Sequence, residues 1–224
     1  MRKDDQRGLE VLLEEIREEI RDTREFTGRP VLEPRVIEAL RAVPRHAFVP
    51  EELQDSAYAN HPLPIGHGQT ISQPYIVALM TDLIQPRAES IVLEVGTGSG
   101  YQAAILSRLV KQVYSLEIVE ALAEQAHGRL QRLGYGNVEV RAGNGHFGWP
   151  EHAPYDAIMV TAAAPRIPPA LIEQLGPGGI LVMPVGDRYF GQELLVLGKD
   201  EQGRLEERRV LPVAFVPLTG SAAE

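Results

Sequence analysis

Three glycines at every second position mark the stretch of this sequence best suited to hold a ligand. Gly96, Gly98 and Gly100 follow the largely apolar run 91–95, which has the length of a buried strand, and a helical pattern begins directly after them. Glycines at a strand-to-helix turn permit tight backbone geometry and let a ligand approach the main chain without meeting a Cβ atom. The spacing therefore predicts a loop that binds a nucleotide-like ligand.

Two further residues narrow the choice of ligand. Tyr101 occupies the position at which a dinucleotide fingerprint needs its third glycine. Glu117 ends the next strand-like run, near the roughly 20-residue offset at which a carboxylate meets ribose hydroxyls in this architecture. Together these features favour S-adenosylmethionine (AdoMet) over a nicotinamide cofactor.

A third candidate contact follows the next predicted strand, where Asn144 stands between Gly143 and Gly145. In open α/β sheets, ligands bind beyond the carboxyl ends of the strands, so this turn is expected near the glycine loop. Asn144 is placed to meet an adenine edge. It is equally placed to form a plain turn, because Asn-Gly is a common turn pair, and the sequence leaves both interpretations open.

The segment 61–75 collects uncharged hydrogen-bonding side chains on a stretch rich in proline and glycine. Gln69, Thr70 and Ser72 precede an apolar helix that is expected over 75–84. The longer stretch 45–74 is expected to be irregular because of its prolines and glycines, and so irregular a segment inside a compact domain is more often functional than a mere connection. Ser72 is therefore either a ligand contact or simply the N-cap of that helix.

Several other chemistries are disfavoured by the sequence. No glycine-x-serine-x-glycine elbow of a Ser-His-Asp hydrolase occurs, and no Tyr-x-x-x-Lys pair of a reductase occurs. His46, His61 and His67 have no metal-ligand spacing, and the chain contains no cysteine, so we expect no metal site.

Composition excludes further classes. The chain has 224 residues, with 22 basic and 31 acidic side chains, giving a formal charge of −9. An acidic chain is a poor candidate for nucleic-acid binding, which needs a basic surface. No apolar run approaches the roughly 18 residues of a membrane helix, and the N-terminus is charged rather than signal-like, so we expect a cytoplasmic location.

Strand-like and helix-like patterns alternate from residue 90 onwards, which predicts a parallel sheet covered on both faces. Strands are expected at 91–95, 112–117, 137–141, 156–161 and 179–183, and helices at about 100–110, 119–133 and 168–175. Two further strands, at 193–197 and 208–216, flank a short connection with Gly203 and are expected to close the sheet as an antiparallel pair. Ahead of this core, apolar periodicity predicts helices over 8–26 and 34–43.

A series of motifs, in order along the chain, gives the sequence a family resemblance. The motifs lie at 69–74, 93–102, 154–158, 161–165, 178–186 and 215–218. Together they resemble protein-L-isoaspartate O-methyltransferases, which repair damaged aspartyl and asparaginyl residues. The resemblance runs from about residue 36 to 218, and its most specific parts are Thr-Ile-Ser-Gln-Pro and the closing Phe-Val-Pro-Leu. Asn144 is a departure, because the family usually has aspartate there.

The resemblance implies an α/β fold of the Rossmann-like class I AdoMet-dependent methyltransferases. This fold has a mostly parallel, doubly wound sheet, an antiparallel C-terminal strand pair and an N-terminal helical extension. Residues 1–75 would form the extension and the active-site loop, and residues 76–224 the AdoMet-binding core.

The activity implied is methyl transfer from AdoMet to the free α-carboxylate of L-isoaspartyl residues in damaged proteins and peptides, with D-aspartyl residues as possible further substrates. S-adenosylhomocysteine would be the second product, and the methyl ester would collapse to a succinimide. An RNA or metabolite methyltransferase would share the cofactor motifs but not the Thr-Ile-Ser-Gln-Pro segment. A binding module without catalysis would be expected to lose Ser72 or Glu117, and both are present.

By this resemblance, Ser72 is the catalytic serine. The expected cofactor contacts are Gly66, Gln69, Thr70, Glu94, Gly96, Gly98, Ser99, Gly100, Glu117, Ile118, Asn144 and Gly145. The expected substrate contacts are Ile65, Thr70, Ser72 and Val216, with the peptide lying along the 60–72 loop and the C-terminal strand. We expect a monomer that acts on isoaspartyl-containing proteins and binds neither nucleic acid nor a membrane.

Overall fold

The computed structural model describes residues 3–187 and 189–220. Residues 1 and 2 of the predicted extension, and residues 188 and 221–224 of the predicted core, lie outside the described residues. The helices are α1 (Lys3–Thr27), α2 (Pro34–Ala42), α3 (Pro74–Leu83), α4 (Tyr101–Ser107), α5 (Glu120–Arg132) and α6 (Pro169–Gln174). The strands are β1 (Leu63–Gly66), β2 (Gln69–Ile71), β3 (Ile91–Val95), β4 (Gln112–Glu117), β5 (Val138–Ala142), β6 (Tyr155–Val160), β7 (Leu175–Asp187), β8 (Gly191–Lys199) and β9 (Leu205–Val213).

The main sheet has the strand order β5-β4-β3-β6-β7-β8-β9. Strands β5, β4, β3, β6 and β7 pair in parallel, whereas β8 is antiparallel to both β7 and β9. The chain runs outward from β3 to β5, then returns to place β6 on the other side of β3. The gap between β3 and β6 is therefore the topological switch point, where α/β sheets bind ligands.

Both faces of this sheet are covered by apolar side chains. Neighbouring strand residues point to opposite faces, so Val92 and Val182 belong to one hydrophobic cluster and Leu93 and Leu181 to the other. The first cluster includes buried residues of α1, α2, α3 and α4, and the second includes Leu171 of α6. The doubly wound α/β fold predicted from the alternating pattern is confirmed.

The N-terminal helices pack onto the first of these clusters. The predicted apolar stripe of α1 is entirely buried, at Leu9, Leu12, Leu13, Ile16 and Ile20. α1 also contacts α3, which precedes the first strand of the main sheet, and β9, the last strand of that sheet. Within the described ranges, no helix is long and apolar enough to cross a bilayer.

The segment 45–74, predicted to be irregular, contains short ordered elements. Two 3₁₀ helices, Arg45–Phe48 and Glu51–Ser56, precede a hairpin of β1 and β2. The hairpin turn passes through Gly66, His67 and Gly68, all of which have positive φ. Glycine adopts such angles without strain, which explains its place on either side of His67.

The predicted boundaries need correction at the C-terminal end of the sheet. The strand expected at 179–183 extends over Leu175–Asp187, because it pairs with β8 as far as Asp187 and with β6 from Leu175. The strand expected at 208–216 instead spans Leu205–Val213. Its pairing with β8 begins at Leu205, directly after the turn, and ends at Val213, which pairs with Gln192 near the start of β8. Val216 therefore lies beyond the last strand rather than within it.

Candidate active site

The glycine loop at the end of β3 has the geometry that its sequence predicts. Gly96, Gly98 and Gly100 have φ of 100°, 52° and 86°, positive angles that residues with a Cβ rarely adopt. A Cβ on Gly96 would lie 2.3 Å from Oγ1 of Thr161, the residue that follows β6. That hydroxyl donates a hydrogen bond of 2.7 Å to the Gly96 carbonyl. The loop thus exposes its backbone and is fastened to the neighbouring strand.

Glu117 lies beside this loop at the end of β4, with only 6% of its surface exposed. Its Oε2 accepts a hydrogen bond of 2.8 Å from the Gly98 amide, and its Oε1 accepts one of 3.0 Å from the Val119 amide. Carboxylate oxygens can each accept more than one hydrogen bond. Glu117 can therefore hold the loop and still accept bonds from a ligand.

The turn after β5 contains Asn144, for which the sequence left open a ligand contact and a purely structural role in the turn. Gly143 and Gly145 line the same pocket as Glu117. The Asn144 side chain instead accepts a hydrogen bond of 3.0 Å from the His146 amide and caps the 3₁₀ helix Gly145–Phe147. The backbone of this turn faces the pocket while the side chain stabilises the turn, so a direct ligand role for Asn144 stays a prediction.

Most of the expected cofactor contacts meet in this one pocket, which we call the cofactor pocket. It is lined by Gln69, Thr70, Val95, Gly96, Gly98, Leu116, Glu117, Ile118, Gly143, Gly145, Thr161, Ala162, Val216, Pro217, Leu218 and Thr219. Gly66, Glu94, Ser99, Gly100 and Asn144, also expected to contact the cofactor, are not part of this lining.

Glu94 lies behind the glycine loop and is fully buried. Its Oε2 accepts a hydrogen bond from the Ser115 hydroxyl, which is in turn 2.6 Å from Oγ1 of Thr97 in the loop. Burial raises the pKa of the Glu94 carboxyl to about 8, and the nearby charge of Glu117 acts in the same direction. A neutral acid at this position supports the loop through Ser115 and Thr97.

Ser99 and Gly100 lie where the loop turns into α4. The Ser99 carbonyl accepts a hydrogen bond of 2.8 Å from Arg129 of α5. Gly100 is the N-cap of α4, and a Cβ there would lie 3.2 Å from Leu130 of α5. Both residues therefore join the loop to its helices.

A second and larger pocket adjoins the first. Its volume is about 800 Å³, within the range of ligand-binding pockets. We call it the substrate pocket, and its wall includes Ser72, Ala163, Asp187, Tyr189, Gln192 and Phe215. Thr70, Thr161, Val216, Pro217 and Leu218 line both pockets, so the two cavities meet along a wall that carries no charged side chain.

Ser72 is not the cap of α3, which was the alternative to a ligand role. The N-cap is Gln73, and the Tyr75 amide at the start of the helix donates instead to Oδ1 of Asn60, at 3.0 Å. Among the described residues, the Ser72 hydroxyl makes no hydrogen bond. It is therefore available to a ligand in the substrate pocket.

A buried arginine holds the backbone beside that hydroxyl. Arg45, only 1% exposed, donates to the Ala57 carbonyl at 2.9 Å and to the Ser72 carbonyl at 2.8 Å. Its guanidinium also lies over the Tyr101 ring, 5.0 Å from the centroid. Desolvation lowers the pKa of Arg45. This role was not predictable from the sequence, because an arginine is ordinarily exposed to solvent.

Of the two further residues expected to contact the substrate, Val216 lines both pockets, whereas Ile65 lines neither. The Val216 carbonyl accepts a hydrogen bond of 2.8 Å from the Ala163 amide, which places the segment after β9 next to the end of β6. The Ile65 side chain packs on the glycine loop, where a Cβ on Gly98 would lie 3.3 Å from its Cδ1.

Within residues 3–187 and 189–220, no group of three or more His, Cys, Asp or Glu side chains is arranged to hold a metal ion.

Comparison with known proteins links these pockets to one family. A profile of the family described as protein-L-isoaspartate(D-aspartate) O-methyltransferase matches residues 20–223. The chain is 61% identical to protein-L-isoaspartate O-methyltransferase 2 of Syntrophobacter fumaroxidans, over 93% of this chain and 85% of that protein. It is 58% identical to the protein of the same name from a Polaromonas species, over 93% of this chain and 99% of the other.

Solved structures agree with the sequence comparisons. A protein-L-isoaspartate O-methyltransferase, 28% identical, superposes with a TM-score of 0.77 over 92% of this chain, which in turn covers 66% of that longer chain. A putative protein-L-isoaspartate O-methyltransferase from Plasmodium falciparum, solved in complex with S-adenosyl-L-homocysteine, is 25% identical. It superposes with a TM-score of 0.75 over 93% of this chain and 97% of the other.

Proposed function

This chain belongs to the protein-L-isoaspartate(D-aspartate) O-methyltransferase family, and we propose that it transfers the methyl group of AdoMet to the α-carboxylate of L-isoaspartyl residues. Its substrates are damaged proteins and peptides, and the methyl ester then collapses to a succinimide. One observation supports this most directly. The cofactor pocket and the substrate pocket meet at a wall with no charged side chain, beside the free hydroxyl of Ser72.

The cofactor pocket fits AdoMet in its donor set and in its shape. Glu117, an acceptor-only group, suits a pair of ribose hydroxyls. Gly96 and Gly145 leave the backbone accessible at the strand ends, since a Cβ on Gly145 would lie 2.2 Å from Val95. We propose that these residues, with Gln69, Thr70, Gly98 and Ile118, hold the cofactor. Bound AdoMet would supply a methyl group on a positively charged sulfonium.

The acceptor in this reaction needs no general base from the protein. An isoaspartyl residue carries a free α-carboxyl group with a pKa near that of a chain terminus, roughly 3.3–3.7, so it is ionised at pH 7. The task of the protein is therefore to orient a carboxylate and to exclude water. We propose that the hydroxyls of Ser72 and Thr70 donate hydrogen bonds to this carboxylate.

Neutral donors suit this task better than a cation would. An arginine or lysine would pair tightly with the carboxylate and draw charge from the attacking oxygen. Val216, Pro217 and Leu218 complete the wall with apolar groups and backbone, which favours the loss of water when a peptide binds.

The decisive experiment is a methylation assay with a matched pair of peptides. One peptide contains L-isoaspartate and its twin contains normal aspartate at the same position, and both are incubated with AdoMet labelled in its methyl group. We expect label in the first peptide only, with loss of label on standing as the ester collapses. Equal labelling of the twins, or no labelling of either, would overturn the proposal.

Other properties expected from the sequence remain proposals. We propose that the enzyme acts as a monomer in the cytoplasm. We also propose that it does not bind nucleic acid, because its charge of −9 would repel a phosphate backbone. We also retain residues 1–75 as the extension and active-site loop, and residues 76–224 as the cofactor-binding core.

A further inference from the structure

The first helix reaches the active-site segment through two polar side chains. Glu19 and Thr23 lie four residues apart in α1, and therefore on one face of the helix. The Thr23 hydroxyl is 2.8 Å from the Tyr75 hydroxyl of α3. Glu19, one turn earlier, contacts residues on both sides of Ser72 in the sequence.

Glu19 accepts hydrogen bonds from two side-chain amides. Nδ2 of Asn60 donates to its Oε2 at 2.8 Å, and Nε2 of Gln73 donates to the same oxygen at 3.3 Å and to Oε1 at 3.4 Å. Burial raises the pKa of Glu19, while both amide contacts lower it. A carboxylate matches this pair because it accepts hydrogen bonds and donates none.

Asn60 passes this constraint on to the start of α3. With its Nδ2 directed to Glu19, its Oδ1 is free to accept the hydrogen bond from the Tyr75 amide. That amide belongs to the first turn of the helix, where backbone donors have no partner within the helix. Asn60 therefore caps α3 from a distance, and Glu19 fixes the orientation of the cap.

Ser72 lies within this framework. Its carbonyl is held by Arg45, and the next residue, Gln73, is held by Glu19. We propose that Glu19 is a positioning residue, which fixes the segment 60–75 so that the Ser72 hydroxyl faces the substrate pocket. The catalytic part of this inference depends on the proposed function, while the positional part does not.

The substitution Glu19→Gln tests the acceptor-only requirement with almost no change in size. A glutamine presents one donor, which would oppose the amide of either Asn60 or Gln73. Glu18→Gln is the matched control, because it removes the same charge from the next residue, whose side chain is 64% exposed.

A compensating double variant makes the test specific. In Glu19→Gln with Asn60→Asp, the donor and the acceptor exchange places. The new glutamine can donate to the new aspartate, whose other oxygen can still accept from the Tyr75 amide. Its own oxygen can accept from Gln73, so the net charge and one hydrogen bond to each of the three partners are retained, and only the second contact of Gln73, at 3.3 Å, is lost.

Two measurements are made on all variants. The first is kcat and KM for the isoaspartyl peptide, with AdoMet affinity measured separately by calorimetry. For Glu19→Gln we expect about a tenfold lower kcat/KM with unchanged AdoMet affinity, wild-type kinetics for Glu18→Gln, and recovery in the double variant. The second is hydrogen exchange of the Tyr75 amide, which should become faster in Glu19→Gln and return to the wild-type rate in the double variant.

The outcomes separate the two proposals. If Glu19→Gln matches Glu18→Gln in kinetics and in exchange, Glu19 has no positioning role. If the double variant has the wild-type melting temperature but recovers neither the wild-type kcat/KM nor the wild-type exchange rate of the Tyr75 amide, the proposed hydrogen-bond mechanism is wrong. If the wild-type enzyme does not methylate the isoaspartyl peptide, the proposed function fails, and the exchange rates alone decide whether Glu19 fixes the segment.

Discussion

The two pockets that share Thr70 and Thr161 are assembled in different ways. Turns at the ends of adjacent strands form most of the cofactor pocket, and short bonds such as that from Gly98 to Glu117 tie them together. The substrate pocket is assembled from distant parts of the chain, including the 62–72 segment, the β7–β8 turn and the segment after β9.

The difference concerns what determines each geometry. In the cofactor pocket, backbone conformation and close packing determine it, so small changes at a glycine should be severe. Beside the substrate pocket, long-range side-chain bonds determine it, because Arg45 holds the Ser72 carbonyl and Asn60 holds the Tyr75 amide. Changes there should reduce turnover while the cofactor site remains intact.

The largest contrast is expected between two glycines. Gly96→Ala must place a Cβ 2.3 Å from Thr161 Oγ1 at a φ of 100°, which should destabilise the fold by more than about 3 kcal/mol and abolish AdoMet binding. Gly68 also has a positive φ, of 71°, but the Cβ added by Gly68→Ala would have no atom within 4 Å. It should cost about 1–2 kcal/mol and leave AdoMet binding intact.

Urea unfolding gives the two stability differences, and calorimetry with AdoMet gives the two affinities. Similar losses for both variants would mean that the positive φ, and not the packing of the glycine loop on Thr161, determines the cost.

Next in size is the effect of Glu117→Ala. The variant loses the bond that holds the Gly98 amide and also the proposed acceptor for two ribose hydroxyls. A hydrogen bond to a charged group is worth about 1.5–3 kcal/mol, so AdoMet affinity should fall tenfold or more. Glu124→Ala, an exposed position on α5, is the control for loss of charge. Unchanged affinity by calorimetry would remove Glu117 from the cofactor site.

Ser72→Ala tests the other pocket. We expect about tenfold lower kcat on an isoaspartyl peptide, because a hydrogen bond to the carboxylate is lost, with AdoMet affinity unchanged. Ser56→Ala, at an exposed position in a 3₁₀ helix, should have wild-type kinetics. If Ser72→Ala is fully active, the hydroxyl does not orient the substrate. If Ser72→Ala lowers the affinity for AdoMet, a change in the substrate pocket also affects the cofactor pocket, contrary to our expectation.

The same contrast explains which features could be predicted from sequence. The glycine loop, Glu117 and four of the five parallel strands lie close to their predicted places, since periodicity and glycine spacing are local signals. The antiparallel closure was also correctly predicted from two apolar runs around Gly203.

Long-range contacts were not predictable in this way. Nothing local marks Arg45 or Glu19 as partners of the active-site segment, because each meets it through folding of distant residues. Val216 was assigned to a strand from its apolar neighbours, but the length of β8 ends that strand at Val213. The motif around Glu94 suggested a cofactor contact, which stays a prediction, but the motif did not indicate the hydrogen bond that this side chain accepts from Ser115 behind the loop.

Glu94 is expected to affect the stability of the fold through its pKa and to leave AdoMet binding unchanged. Its folded pKa, about 8, lies above the ordinary value of 4.5, so the folded protein keeps a proton that the unfolded chain has released. Its contribution to stability is fully present below pH 4.5 and is lost as the pH rises towards 8. The wild-type free energy of unfolding should therefore decline across this window, by an amount on the order of a few kcal/mol from this group.

Glu94→Gln removes the titration while keeping an oxygen that can accept from Ser115. The variant should lack this decline, so that it becomes more stable than the wild type at pH 9, and Glu89→Gln at an exposed position should not. Urea unfolding at pH 5, 7 and 9 measures the difference. An unchanged pH dependence would show that Glu94 is not the group responsible. AdoMet affinity at pH 6 should equal that of the wild type, because Glu94 supports the loop from behind. A loss of affinity at pH 6 would instead favour a direct contact with the cofactor.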